Sequence, residues 1–186
     1  MPAYYTELLH KMKMLKLPET QQTYNYDCGA KSLQAVLAYY GIYLREEILM
    51  KDAGTTKTGT PILGIVKAAK KYKLKVKSKR MTIDEIKKFL DKNIPVILDL
   101  QAWSGKQKIN WKDDWKDGHY VIAIGYDRKK IYFDDPFCFQ TTFLTFKEIE
   151  ARWHDIDSKK VKHFSHGIAI YGKKPEFNPR KIEHME

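Results

Sequence analysis

The chain has 186 residues, 43% of them hydrophobic and 13% aromatic, which is enough for one well-buried domain and short for two. No apolar run approaches the roughly 20 residues of a membrane span, and two cysteines make no disulfide framework, so a reduced, cytoplasmic protein is expected. The 34 basic and 23 acidic side chains give a formal charge of +11, a balance that favours acidic partners.

Met1–Pro18 carries Lys11, Lys13 and Lys16 among scattered apolar residues, with neither a continuous apolar core nor a small-residue cleavage site, and does not read as a signal peptide. Asp27-Cys28-Gly29 then opens a predicted helix. Leu33, Val36, Leu37 and Tyr40 recur at the 3.6-residue period, Asp27 is a suitable N-cap and Gly41 a suitable stop. A thiol in the first turn lies at the positive end of the helix dipole, where free backbone N–H groups favour thiolate over thiol and can bind a developing oxyanion. The plainer reading is an inert packed cysteine, since cysteine is among the most often buried residues.

Arg45–Ala53 reads as a second short helix that stops before Gly54. Thr60 reads as the cap and Pro61 as the first residue of a third, with Ile62, Ile65, Val66 and Ala69 on one stripe. Eight of the fourteen residues from Lys67 to Arg80 are basic. Within them Lys73, Lys75, Lys77 and Lys79 alternate with Leu74, Val76 and Ser78, the pattern of a half-exposed strand. An edge strand guarded by lysine accounts for this more simply than a nucleic-acid surface does, so nucleic acid is not the expected partner.

Thr82 and Glu85 have the spacing of a capping box for a helix through Leu90, and Pro95-Val96-Ile97-Leu98 enters a central strand. Gln101–Gly118 is polar, holds Trp103, Trp111 and Trp115, and ends at His119; a loop this long usually carries function, and its tryptophans either wall a cleft or anchor the loop. His119–Tyr126 and Lys130–Asp135 form a predicted hairpin that puts His119 and Asp135 at the same end of an antiparallel sheet. Thr145 and Glu148 suggest another capping box, and Phe164–Tyr171 a last strand. From Lys173 onward, past Pro175 and Pro179, no periodicity remains, which predicts an extended or disordered tail (173–186) after a single domain (1–172).

The order of nucleophile helix, histidine strand and acid strand resembles the papain-like cysteine peptidases, and in particular their family 39, known for processing double-glycine leaders of bacteriocins. The residues that carry the resemblance are Gln22 with Asp27-Cys28-Gly29-Ala30, Gly59-Thr60-Pro61, Pro95-Val96-Ile97-Leu98, Gly118-His119-Tyr120-Val121, Gly125-Tyr126 and Asp135-Pro136. The resemblance implies an α+β fold with N-terminal helices packed on an antiparallel sheet. It makes Cys28 the nucleophile and His119 the general base and later acid, with Asp135 the residue that orients the imidazole. Gln22, six residues before the cysteine, would build the oxyanion hole with the Cys28 N–H.

Trp111, Trp115 and Tyr120 are the expected substrate contacts, and the expected partner is a peptide or protein, with lysines of the loop suited to an acidic one. The chain lacks the membrane span and the Gly-rich phosphate loop of exporter-fused members, so a stand-alone form is expected. No paired-cysteine or His-Glu-x-x-His motif is present, and no metal or cofactor is expected. His163 and His166, three apart at a strand entrance, should face opposite ways. Cys28 and Cys138 could in principle pair, at the cost of the nucleophile. The competing functions are a non-catalytic peptide-binding module on the same fold and a basic nucleic-acid binder, whose affinity would fall steeply with salt.

Overall fold

Residues 14–182, 184 and 185 are described by the computed structural model, so the reading of Met1–Pro18 falls largely outside the described residues. α1 (Cys28–Tyr39) is buried on nearly every side. Leu33, Val36 and Leu37 have no exposed surface, and each such side chain contributes about 1.5–3 kcal/mol of transfer free energy. α2 (Glu46–Ala53) ends on Gly54 in the left-handed conformation, and α3 (Ile62–Lys71) follows.

The start of α3 differs from the expected one. Pro61 is extended and occupies the cap position itself, while the Thr60 hydroxyl is 2.9 Å from that of Thr55. A residue before proline is pushed towards extended backbone, and Thr60, so placed, turns its side chain to the preceding loop.

The remaining elements are β1 (Lys75–Arg80), α4 (Ile83–Asp91), β2 (Val96–Gln101), β3 (Gly118–Tyr126), β4 (Lys130–Asp134), β5 (Thr142–Thr145), α5 (Phe146–Arg152), β6 (His154–Ile156), β7 (Lys162–Phe164) and β8 (His166–Tyr171). Six strands form one antiparallel sheet in the order β1-β8-β2-β3-β4-β5, and β6 with β7 makes a separate hairpin. The fold is α+β, with helices against an antiparallel sheet. Both predicted capping boxes are formed, Thr82 with Glu85 on α4 and Thr145 with Glu148 on α5.

The lysine-rich strand is an edge, as its alternation predicts, although Lys73 adopts φ 61° in the turn before it. β2 is buried at all six positions. Its partner β3 crosses α1 closely: a Cβ on Gly29 would come within 2.8 Å of the Tyr120 ring and of Thr60. The glycine after Cys28 thus sets how near the helix start approaches the sheet.

The segment after β8 takes the extended one of the two forms expected for it. The Glu176 and Phe177 N–H groups donate to Tyr39 O, at 3.0 and 3.2 Å, and Lys173 Nζ donates to Tyr40 O at 3.1 Å. Phe177 packs on the core. The exposed carbonyls at the C-terminus of α1 need donors, and the segment after β8 supplies them. Its start is therefore extended and docked rather than disordered.

Candidate active site

Cys28 is the first residue of α1 and is 8% exposed. Asp27 does not cap the helix. Its Oδ2 instead accepts from the Thr23 and Tyr24 N–H groups, at 3.0 and 3.1 Å, which folds the loop 22–26 against the helix start. No side chain caps the first turn, so the N–H groups around Cys28 remain open to a ligand. The same loop holds Gln22, whose backbone N–H donates to Pro136 O at 2.8 Å and whose Nε2 donates to Tyr24 O at 3.1 Å. Gln22 is thereby tied both to the cysteine loop and to the turn that follows Asp135.

His119, near the start of β3, is 7% exposed and its Nε2 lies 2.7 Å from Asp135 Oδ1. That bond leaves Nδ1 for the thiol. Burial works against charge on the imidazole, but hydrogen bonds to Asp135 and Cys28, with their negative charges, outweigh it and raise its pKa to about 9. Asp135 is buried too, which alone would raise its pKa. The His119 hydrogen bond and charge, the Phe137 N–H at 3.0 Å and the Trp103 indole N–H at 3.0 Å hold it below the usual carboxylate value. A thiol, an imidazole and an oriented carboxylate on separate elements make an arrangement suited to thiolate attack and proton return.

On the other side of Cys28 a cavity of about 1210 Å³ opens between the turn before α3, α3 itself and the β6–β7 hairpin. Its walls include Cys28, Asp99, Tyr120, Asp155, His163 and His166. No group of three or more His, Cys, Asp or Glu side chains among the described residues is placed to hold a metal ion.

The profile of the Peptidase C39 family matches residues 16–156. The chain belongs to the peptidase C39 family. It is 30% identical over 125 residues to the lactococcin-A transport/processing ATP-binding protein LcnC of Lactococcus lactis subsp. lactis and 29% identical over 127 residues to the transport/processing ATP-binding protein ComA of Streptococcus pneumoniae. Each match covers 67% of this chain but only 16% of the relative.

Two crystal structures share the fold. A double glycine motif protease from an AMS/PCAT transporter, in complex with the leader peptide, superposes with TM-score 0.62 at 24% identity over 88% of this chain and 95% of that one. The peptidase domain of Streptococcus ComA gives TM-score 0.63 at 22% identity over 86% and 99%.

Within this C39 chain the other residues singled out from sequence lie in different places. Tyr120 lines the cavity beside Cys28, whereas Trp111 and Trp115 do not. Trp111 lies under Arg152, 4.0 Å from the guanidinium carbon, and Trp115 packs on His154 and Phe164 with ring centroids 4.4 and 5.4 Å apart. The loop connects neighbouring strands and is closed at its base by Ala102 N–H to Asp117 O at 2.9 Å, so its middle folds outward onto the β6–β7 hairpin and α5. Of the three tryptophans of this loop, Trp103 is the one that meets Asp135.

His163 and His166 do not face opposite ways: their rings lie 5.7 Å apart. Ser165, with φ 51°, breaks the chain between β7 and β8, and strand alternation does not carry across the break. Both cysteines are free. No helix among the described residues is long and apolar enough to cross a membrane.

Phe137 and Asp99 escaped sequence reading as parts of the site, and Trp103 was expected only as a cleft wall or loop anchor. Trp103 and Phe137 hold Asp135, and Phe137 also sets its ring edge-on to His119 at 6.4 Å. Asp99 was visible as a lone carboxylate inside the apolar run Pro95–Leu100, which is a signal in its own right.

Proposed function

We propose that the chain is a cysteine peptidase that hydrolyses a peptide bond through Cys28, His119 and Asp135. The observation that supports this best is the His119 Nε2–Asp135 Oδ1 contact of 2.7 Å, which leaves Nδ1 for a thiol at an uncapped helix start. With the imidazole pKa raised to about 9, His119 carries its proton at neutral pH beside Cys28, ready to give it to a leaving group.

The thiolate Sγ attacks the scissile carbonyl carbon, and the negative oxygen that forms is held by the Cys28 N–H and the second N–H of the Gln22 amide. The imidazolium gives its proton to the leaving nitrogen, the C–N bond breaks, and an acyl thioester remains. Neutral His119 then takes a proton from water, the hydroxide displaces the thiolate, and the acid product leaves with Cys28 and His119 again charged. Asp135 keeps the ring in place and stabilises its positive charge throughout. The substrate is a peptide or protein segment, a reading supported by the structural relative crystallised in complex with the leader peptide.

Exposure of the folded protein to iodoacetamide at mildly acidic pH, read by intact mass, tests the nucleophile. Cys28 is expected to alkylate well ahead of Cys138, although Cys138 is the more accessible thiol. Equal rates at the two thiols, or peptide cleavage that survives Cys28→Ala, would sink the reading.

A further inference from the structure

The catalytic scheme leaves two buried carboxylates beside Cys28 without a task. Asp99 on β2 is the cross-strand neighbour of Tyr120, and Gln101 is the neighbour of Gly118, so all four positions share one face of the sheet. Asp155 reaches onto that face from β6. Gln101 Nε2 donates to its Oδ1 at 2.8 Å, and the carboxylate occupies the space that a Cβ on Gly118 would need. Asp99 is 6% exposed, and its Oδ1 finds no hydrogen-bond donor among the described residues. Neither aspartate belongs to an ion pair among those residues. Both line the cavity that Cys28 also lines.

A buried carboxylate without a donor is costly, and an amide or an apolar side chain would fill the same space more favourably. Asp99 Oδ1 is thus open to a donor from outside, and Asp155, held by Gln101, sets a second carboxylate on the same cavity floor. Once the pair gives up its proton the carboxylates only accept hydrogen bonds, and the group that then satisfies them best is a cation with several N–H donors. The mouth has the opposite sign. Lys51, Lys57, Lys67, Lys70 and Lys159 are exposed along it and take part in no ion pair among the described residues. A lone small cation meets repulsion there, whereas a cation flanked by carboxylates matches both zones.

Resting on the peptidase reading for the peptide nature of the ligand, we propose that this cavity is a specificity pocket for a lysine or arginine side chain carried in an acidic segment of the substrate. Asp99 and Asp155 receive the cation at the floor, and the mouth lysines receive the flanking carboxylates. A double-glycine segment brings no side-chain cation to the floor, so the pocket favours a different sequence beside the scissile bond.

The test compares acetyl-Glu-Lys-Glu-amide with acetyl-Glu-norleucine-Glu-amide, binding to the full chain carrying Cys28→Ala and followed by NMR shift changes. The lysine peptide is expected to bind about tenfold or more tightly, the scale of one charge-assisted hydrogen bond, with shifts at Asp99, Gly118 and Tyr120. Asp99→Asn and Asp155→Asn, each added to that background, should bring the ratio towards one. Equal or undetectable binding of the two peptides overturns the pocket, as does a lysine preference that survives both variants. The outcome is separable from the peptidase reading: an unreactive Cys28 in the alkylation experiment removes the chemistry and leaves the binding ratio to be judged on its own, and active cleavage without lysine preference does the reverse.

Discussion

Two carboxylate sites flank the Cys28–His119 pair, and they are opposites. Asp135 is 3% exposed and is met by His119, the Phe137 N–H, the Trp103 indole and, at 3.5 Å, the Thr142 hydroxyl. Asp99 is almost as buried, yet one of its oxygens has no donor among the described residues and its neighbour Asp155 is another acid. The first stays ionised below the usual carboxylate range. The second is pushed well above it, by burial first and then by the charge of Asp155. Burial alone does not set the charge state of an aspartate; the supply of donors does. One site is finished within the chain, and the other is built to be completed by something that enters.

Asp135→Asn is the strongest test of the finished site. Peptide turnover should fall by about 10⁴-fold, because an amide can leave the imidazole in the wrong tautomer. It should also move the alkaline limb of the pH–rate profile below the parent position near pH 9, since a major force raising the imidazole pKa is gone. The sign for stability follows from the same shift. His119 has a folded pKa above its ordinary 6.5, so its contribution is complete below pH 6.5 and is lost as pH rises through about 9. A limb that stays near pH 9 in Asp135→Asn would assign the shift to Cys28 alone.

Gln22→Ala comes next, with turnover expected to drop by about a hundredfold and the melting temperature to change little. Gln22 Nε2 already gives one N–H to Tyr24 O, so the mechanism depends on its second one. Full activity in the variant would leave the oxyanion to the helix N–H groups.

Much of the finished site was legible in the sequence because its residues advertise themselves locally. Cys28 opens a periodic helix, and His119 and Asp135 bracket a hairpin whose antiparallel pairing alone brings them together. Trp103 and the Asp99–Asp155 pair were not legible. Their contacts depend on how a sixteen-residue loop, from Ala102 to Asp117, closes on itself and on a two-stranded hairpin of three residues per strand, too short for alternation to register. The Asp27 cap failed for a related reason: its carboxylate served the preceding loop instead, a competition that local propensity cannot decide.

Gly118→Ala probes the open site through its packing. A Cβ there would run into the Asp155 carboxylate, and the crowding should lower stability by about 1–3 kcal/mol. In a double-mutant cycle Asp155→Ala should relieve most of that loss, and additive effects would show that the two residues do not meet. The comparison between the two acid sites sharpens if relief is seen, because it places the second carboxylate over the histidine strand by an energetic criterion.

The smallest effect is the most specific one. Asp99 faces Asp155, the Tyr120 hydroxyl and Cys28, and forms no ion pair among the described residues. An acid whose folded pKa is raised holds a proton that the unfolded chain has already released, so above the unfolded value of about 3.9 the folded state loses stability as pH rises towards the folded pKa. Asparagine has the shape of the protonated acid and never ionises. Asp99→Asn should therefore match the parent near pH 4 and exceed it at pH 8, where a gain of about 2–4 °C in melting temperature corresponds to roughly 1 kcal/mol in a chain of this size. Asp135→Asn should do the opposite, costing stability at pH 8 and little at a pH where Asp135 is itself protonated, since a depressed carboxylate stabilises only above its own pKa. If both substitutions lower the melting temperature equally at pH 8, Asp99 is a bonded structural acid like Asp135, and the contrast between the two sites disappears.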